Sequence, residues 1–216
     1  MVDSLAASLI ERHAGHPLRV AIDGITAAGK TTLGNELTAA IIDRGRPVIR
    51  IRMDDFHHRR EHRYRQGKDS ARGYYEDAYD FASLNRHVLG PLGPEGNCMF
   101  RRRIIDLATD APIDGPAESA TADTIVIADG SFMQRDHRQS WDVVIFVDTS
   151  FEEALRRGSA RDAEQFDGIV EAQQRYVERY HAASRMYLDE VDPIGAADFI
   201  IDNDDLANPR LYRASA

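Results

Sequence analysis

Eight consecutive residues, Gly24-Ile25-Thr26-Ala27-Ala28-Gly29-Lys30-Thr31, match the pattern G-x-x-x-x-G-K-[ST] in full. The chemistry of that pattern is phosphate binding. Its glycines let the backbone bend until successive N–H groups point inward at phosphate oxygens. A helix starting near Lys30 adds its positive N-terminal end, the lysine reaches the outer phosphates, and the Thr31 hydroxyl is suited to ligate Mg2+. Gly24, Thr26, Ala27, Ala28, Gly29, Lys30, Thr31 and Thr32 are therefore candidate contacts to ATP with Mg2+. Two more acidic positions end apolar runs. Asp129 closes Thr124-Ile125-Val126-Ile127-Ala128 and is a candidate to hold magnesium and its waters together with Thr31. Asp54 and Asp55 follow the run from Val48 to Met53, and a carboxylate at such a strand end can take the proton of an attacking hydroxyl. Adjacent residues point in different directions, so only one of the pair is expected to act as base.

These groups need a scaffold that brings them to one edge. Leu18 to Ile22 reads as a buried strand ending at Gly24, followed by a helix from near Lys30 to about Arg44, which Gly45 and Pro47 punctuate. Val48 to Met53 reads as a second strand. Its Ile49, Ile51 and Met53 face one way and Val48, Arg50 and Arg52 the other, so one face is not fully buried. Residues 57–72 are polar and basic, a loop or marginal helix, and a helix is expected from about Ala78 to Leu89, stopped by Gly90-Pro91. Residues 91–122 form an excursion, with a short alternation from Arg103 to Leu107. Further strands are expected at Thr124–Ala128, Val143–Val147 and Phe199–Ile201. Ser150 with Glu153 makes a capping box for a helix through about Arg161, a long helix is expected over roughly 164–190, and residues 3–13 form an amphipathic helix with Leu5, Leu9 and Ile10 on one face. Continuous apolar strands imply a sheet covered on both faces. The order of elements predicts an α/β fold, a three-layer sandwich with a mostly parallel five-stranded sheet, whose ligands gather at the strands' C-terminal ends.

The 216 residues suit a single domain, 1–216, with a small lid near 156–170. Hydrophobic residues make up 43% of the chain, enough for a core, and the formal net charge is −9, which argues against a nucleic-acid partner. Cys98 is the only cysteine, so no internal disulfide and no cysteine metal cage form, as suits a cytoplasmic protein. The stretch Met1 to Glu11 resembles neither a signal peptide nor a membrane anchor. His58-Arg59-Arg60-Glu61-His62 matches the zinc pattern H-x-x-E-H, but the surrounding order of elements is not that of a metallohydrolase. The wider basic run His57 to Arg65 reads as a solvated flap, or as a surface that attracts a phosphorylated or acidic molecule. A nucleotide-driven switch would need a guanine-reading N-K-x-D, and Asn203-Asp204-Asp205 lacks the lysine. A small-molecule phosphotransferase and a nucleotide-binding module without catalysis remain, and the strand-end acids favour the first.

Several segments, taken in order, resemble the uridine kinase and phosphoribulokinase group of P-loop kinases. Met53-Asp54-Asp55-Phe56-His57 resembles that group's D-[SD]-F-[YH] segment, Ile127-Ala128-Asp129-Gly130-Ser131-Phe132 its second acidic strand end, and Trp141 to Asp148 its next strand. Leu155-Arg156-Arg157-Gly158-Ser159-Ala160-Arg161-Asp162 is similar to its arginine-rich lid entry, and Ala197 to Asn203 to its terminal strand. The resemblance spans about residues 18–205. It implies a P-loop NTPase type of sheet, Asp54 as base, Asp129 as magnesium-associated acid, and Arg157 and Arg161 as lid residues over the phosphates. The acceptor would be a nucleoside, a sugar or a similar small molecule. Where uridine kinases carry Y-D-F and a nearby histidine, this sequence has Ile105-Asp106-Leu107 and Asp110, so the acceptor half departs from the pattern. Arg72, Tyr74, Tyr75 and Asp106 are the candidates to line that half.

Overall fold

Five parallel strands and one antiparallel edge strand form the central sheet of the computed structural model, which describes residues 1–213. The strands are β1 (Leu18–Asp23), β2 (Val48–Arg52), β3 (Ile125–Asp129), β4 (Val143–Asp148), β5 (Phe199–Asp202) and β6 (Arg210–Arg213), in the spatial order β6-β5-β4-β1-β3-β2. The sixth strand corrects the expected count of five. It is short, follows the turns over 203–209, and pairs antiparallel with β5 (Leu211 opposite Ile201), so its four residues carry little pattern of their own. β1, β3 and β4 are buried along nearly their whole length, as expected for strands covered on both faces.

Alternating residues of these strands feed two cores. Val20, Ile22, Ile125, Ile127, Val143 and Ile145 pack with Leu5 and Leu9 of α1 (Val2–Ile10) and Leu33, Leu37 and Ile41 of α2 (Lys30–Ile42). Ala21, Ile49, Ile51, Val126, Ala128, Val144 and Phe146 face the opposite layer. That layer contains Tyr74 and Tyr75 of α3 (Ala71–Asp77), Phe81 and Leu84 of α4 (Phe81–Leu84), and Tyr187. The half-exposed face of β2 has a specific cause. A side chain on Gly34 of α2 would overlap the Arg50 guanidinium, so the missing Cβ is what lets Arg50 lie between strand and helix.

Two helical expectations change. The predicted helix over 78–89 starts later, at Phe81, because Asp80 caps α4, accepting from Ser83 N at 2.8 Å, and a π-turn, Asn85–Leu89, continues it; α3, capped by Ser70, which accepts from Gly73 N at 2.9 Å, is a separate helix before it. The predicted long helix over 164–190 begins later. α5 (Phe151–Asp162) ends in turns over 163–168, where Asp167 and Gly168 have φ of 61° and 134°. α6 (Ile169–Arg175), a π-turn (Tyr176–His181) and α7 (Ala182–Val191) follow without a break. The Ser150 cap forms as expected, accepting from Glu153 N. The excursion contains two short antiparallel ladders, Met99–Phe100 with Glu118–Ser119 and Ile105–Asp106 with Ala111–Pro112. No helix of the described residues is long and apolar enough to cross a membrane.

Candidate active site

Register decides what meets at the sheet's C-terminal edge. Ile22 of β1 and Arg52 of β2 both pair with Asp129 of β3. The segment after β1, the acid ending β3 and the acids after β2 therefore emerge together. The segment from Gly24 turns tightly around Lys30. Lys30 Nζ donates to Gly24 O (2.9 Å), Ile25 O (2.7 Å) and Ser131 Oγ (3.3 Å). Burial lowers the pKa of this amine to about 8, opposed by the negative charges of Asp23, Asp129 and Asp54. Gly29 has φ of 102°, and a Cβ there would run into Asn203, whose amide donates to Ala28 O at 2.7 Å. Thr149 donates to the same carbonyl at 3.2 Å. The ends of β4 and β5 thus brace the loop from outside. Gly24 has φ of 146° and lies against the Val147 carbonyl, too close for a side chain.

Thr31 Oγ1 donates to Asp129 Oδ2 at 2.6 Å, and Arg50 Nη2 donates to Asp129 Oδ1 at 2.5 Å. Thr31 and Asp129 supply a hydroxyl and a carboxylate, the hard oxygen donors that suit Mg2+. Arg50 was not singled out in the sequence; its alternation in β2 signalled only an incompletely buried face. Asp23 was also missed. It is fully buried and accepts from Gly24 N (2.8 Å), Gln134 Nε2 (3.2 Å) and the Tyr187 hydroxyl. Burial raises its pKa, against those hydrogen bonds and the Lys30 charge. An acid closing the apolar run Val20-Ala21-Ile22 just before Gly24 was the available signal.

Asp54 and Asp55 differ in their surroundings. Both lie in a single 3-10 turn, Met53–Phe56. Asp55 is held by Arg52, with contacts of 3.1 and 3.3 Å. Asp54 is exposed to solvent although protein crowds around it, and its carboxylate has no protein hydrogen-bond donor among the described residues. Its pKa is raised, first by burial and next by the like charge of Asp129, against Lys30, Arg52 and Arg161. The other predicted residues separate. Arg161 pairs with Asp162 at 2.7 Å and donates to the Tyr176 hydroxyl at 3.1 Å, and its charge is felt by both Lys30 and Asp54. Arg157 instead donates to Glu153 (2.7 Å) and to the carbonyls of Asn203 (2.8 Å) and Asp204 (2.6 Å), so it is committed to the loop after β5. Thr26 is half-buried, with its hydroxyl beside that of Tyr74, and Thr32 is exposed.

Of the four acceptor-side candidates, Tyr74 is the one tied to Asp54, whose carboxylate acts on its hydroxyl. It is buried, meets the Tyr79 hydroxyl at 3.2 Å, and burial raises its pKa. Tyr75, one residue on and so about 100° around the helix, turns to Glu190 at 2.8 Å. Arg72 is exposed and pairs with Glu76 at 2.8 Å, one helical turn away. Asp106 caps its own hairpin, accepting from Ala108 N (3.0 Å) and Thr109 N (3.2 Å). His58 and His62 stack at 3.9 Å, but no cluster of three metal-ligating side chains exists among the described residues.

Neither a protein-family model nor a curated protein matches the chain. Solved structures do. A protein described as a possible uridine kinase from Bacillus stearothermophilus superposes with a TM-score of 0.73 at 24% identity, covering 93% of this chain and 97% of that one. A protein described as a candidate fructose transport system kinase from Silicibacter sp. gives 0.73 at 23% identity, over 88% and 95%. D-glycerate 3-kinase from Cryptococcus neoformans gives 0.66 at 10% identity, over 98% and 97%. The chain shares its fold with these three structures.

Proposed function

We propose that the chain is an ATP-dependent kinase that transfers the γ-phosphate to a hydroxyl of a small acceptor. One observation carries this reading: Asp54, a carboxylate free of protein donors, lies within the electrostatic reach of Lys30, Asp129 and Arg161 beside the loop Gly24–Thr31. A nucleotide-binding module has no need of an uncommitted acid with a raised pKa at that point. The likeness in fold supports the reading. The two neighbours named as a possible uridine kinase and a D-glycerate 3-kinase have small hydroxyl compounds in their names.

In this mechanism the loop's N–H groups and Lys30 hold the β- and γ-phosphates, and Lys30 exchanges its carbonyl partners for phosphate oxygens. Asp54 accepts the proton as the acceptor oxygen bonds to the γ-phosphorus, and the bond to the β-bridging oxygen breaks with ADP as leaving group. Arg161 stabilises charge on the transferring group from the end of α5. Thr31 and Asp129 would hold Mg2+, which when bound neutralises phosphate charge. Arg50 keeps Asp129 oriented. The residues 1–216 act as one catalytic unit, with the end of α5 and the following turns as lid. The test is ADP formation from Mg2+–ATP across nucleosides, pantothenate, sugars and sugar phosphates. At least one acceptor is expected to accelerate it, and Lys30→Ala to abolish the acceleration. No acceleration by any acceptor would favour the binding module, and full activity in Lys30→Ala would remove the loop from the mechanism.

A further inference from the structure

Arg179 lies in the π-turn between α6 and α7 and is 8% exposed. Its guanidinium carbon sits 4.9 Å from the ring centre of Tyr74, 5.3 Å from Tyr180 and 5.7 Å from Tyr64. Among the described residues no carboxylate and no hydrogen-bond acceptor pairs with it, and its Nε is fully buried without a partner. Neighbouring arginines differ: Arg63 is held by Asp110 at 2.8 Å, Arg175 by Asp69 at 2.7 Å, and Arg161 by Asp162. A guanidinium taken out of water without a counter-charge is costly, and aromatic faces return only part of that cost.

The place matters as much as the missing partner. Tyr74 senses both the Arg179 charge and the Asp54 carboxylate. The contacts continue from the Tyr74 hydroxyl to Tyr79, from Tyr79 to the His57 ring at 4.5 Å, and from His57 Nδ1 to the Asp54 carbonyl at 3.3 Å. Burial pushes the His57 pKa down to about 4, so this ring adds no charge at neutral pH. Burial raises the pKa values of Tyr74, Tyr79 and Tyr180, so these three stay protonated. The result is an aromatic-walled surface beside the candidate base, with an uncommitted positive fork in its wall.

We propose that Arg179 binds an anionic group, a carboxylate or a phosphate, of the small molecule whose hydroxyl is presented to Asp54. This deepens the kinase reading and rests on it. The planar fork of a guanidinium matches both anions through two parallel hydrogen bonds. A neutral analogue leaves the buried fork unpaired, so the pocket selects against acceptors that lack the charge.

The test uses the full chain and two independent readouts. Matched acceptors are offered with Mg2+ and ATP: pantothenate against pantothenol, and ribose 5-phosphate against ribose. ADP formation is expected with the charged member of a pair and not the neutral one, the first pair reporting a carboxylate and the second a phosphate. Arg179→Gln should raise KM for the charged acceptor roughly 10- to 100-fold with KM for ATP unchanged. Arg179→Lys keeps the charge without the fork and should fall between, and it serves alone if the glutamine variant does not fold. Equal turnover of charged and neutral acceptors would overturn the proposal while leaving the kinase reading intact. The second readout needs no turnover. With the phosphate loop saturated by a non-hydrolysable ATP analogue and Mg2+, inorganic phosphate and acetate are titrated by calorimetry. A saturable anion site, weakened tenfold or more by either substitution, is expected. No anion binding, or binding indifferent to residue 179, sinks the proposal even if no acceptor is ever found.

Discussion

Asp54 and Asp55 are sequence neighbours with different surroundings, because one 3-10 turn sends the second to Arg52 and leaves the first without a protein donor among the described residues. The proposed role of Asp54 has a kinetic signature. Asp54→Asn is expected to lower kcat by about 10²–10⁴-fold and leave ATP affinity nearly unchanged. A near-normal rate would move the role elsewhere. Burial and Asp129 raise the Asp54 pKa, so the acid needed as base is lost on acidification earlier than for an ordinary aspartate. The acid limb of kcat/KM for the acceptor should therefore inflect above the usual value of about 4, and Asp54→Asn should lose that limb. A limb unchanged in the variant would assign it to another group. Arg179 illustrates the opposite case at this scale. Nothing in its sequence neighbourhood, a helix with Tyr176 and Tyr180, distinguishes it from a solvated arginine.

At the scale of elements, the end of α5 depends on one small residue. Gly158 lies against the Tyr176 ring, where any side chain would overlap it, and the Tyr176 hydroxyl donates to Asp162, the partner of Arg161. Gly158→Ala gains helix propensity but forces apart two buried elements, and overpacking of this kind costs about 1–3 kcal/mol. Denaturant unfolding should show a loss in that range, and kcat should fall with it because Arg161 is displaced. Unchanged stability would mean that the α5–α6 contact yields easily. The same helices show why element boundaries were only partly legible. The Ser150 cap is a local signal and was read correctly, whereas the start of α6 depends on left-handed backbone at Asp167 and Gly168, which an acidic, polar stretch does not announce. Likewise Asp80, read as interior to a helix, is a cap because its carboxylate binds Ser83 N.

For the whole molecule, parallel register places the loop after β1, Asp129 and the turn after β2 on one edge, with the ends of β4 and β5 buttressing the loop. A net charge of −9 coexists with local positive charge near this edge: Arg161 acts on Lys30 and Asp54, and Arg179 on Tyr74. A ligand that fills this edge binds only the folded chain. A non-hydrolysable ATP analogue with Mg2+ at 100 times its Kd should add about 2.7 kcal/mol, or roughly 5–11 °C in Tm for a chain of this size. Differential scanning fluorimetry should show the shift in the native chain and its loss in Lys30→Ala. An equal shift in both would mean that the nucleotide binds away from the loop.

By itself the sequence determined the donor half: the bend and lysine of Gly24–Thr31, the acids closing β2 and β3, and the layered α/β order, because each is written in contiguous residues or in local periodicity. Only the tertiary structure decided the rest. The Arg50–Asp129 pair crosses from one strand to another over a glycine of α2, Asp23 is buried against Gln134 and Tyr187 more than a hundred residues away, and Arg179 meets Tyr74 across helices. Which side chain faces an acceptor depends on helix rotation and on long-range packing. That is why Tyr74 lies within reach of the Asp54 charge while Tyr75 turns to Glu190, Arg72 to Glu76 and Asp106 to its own hairpin, and why a mismatch with the uridine kinase pattern in the sequence could not say what replaces it.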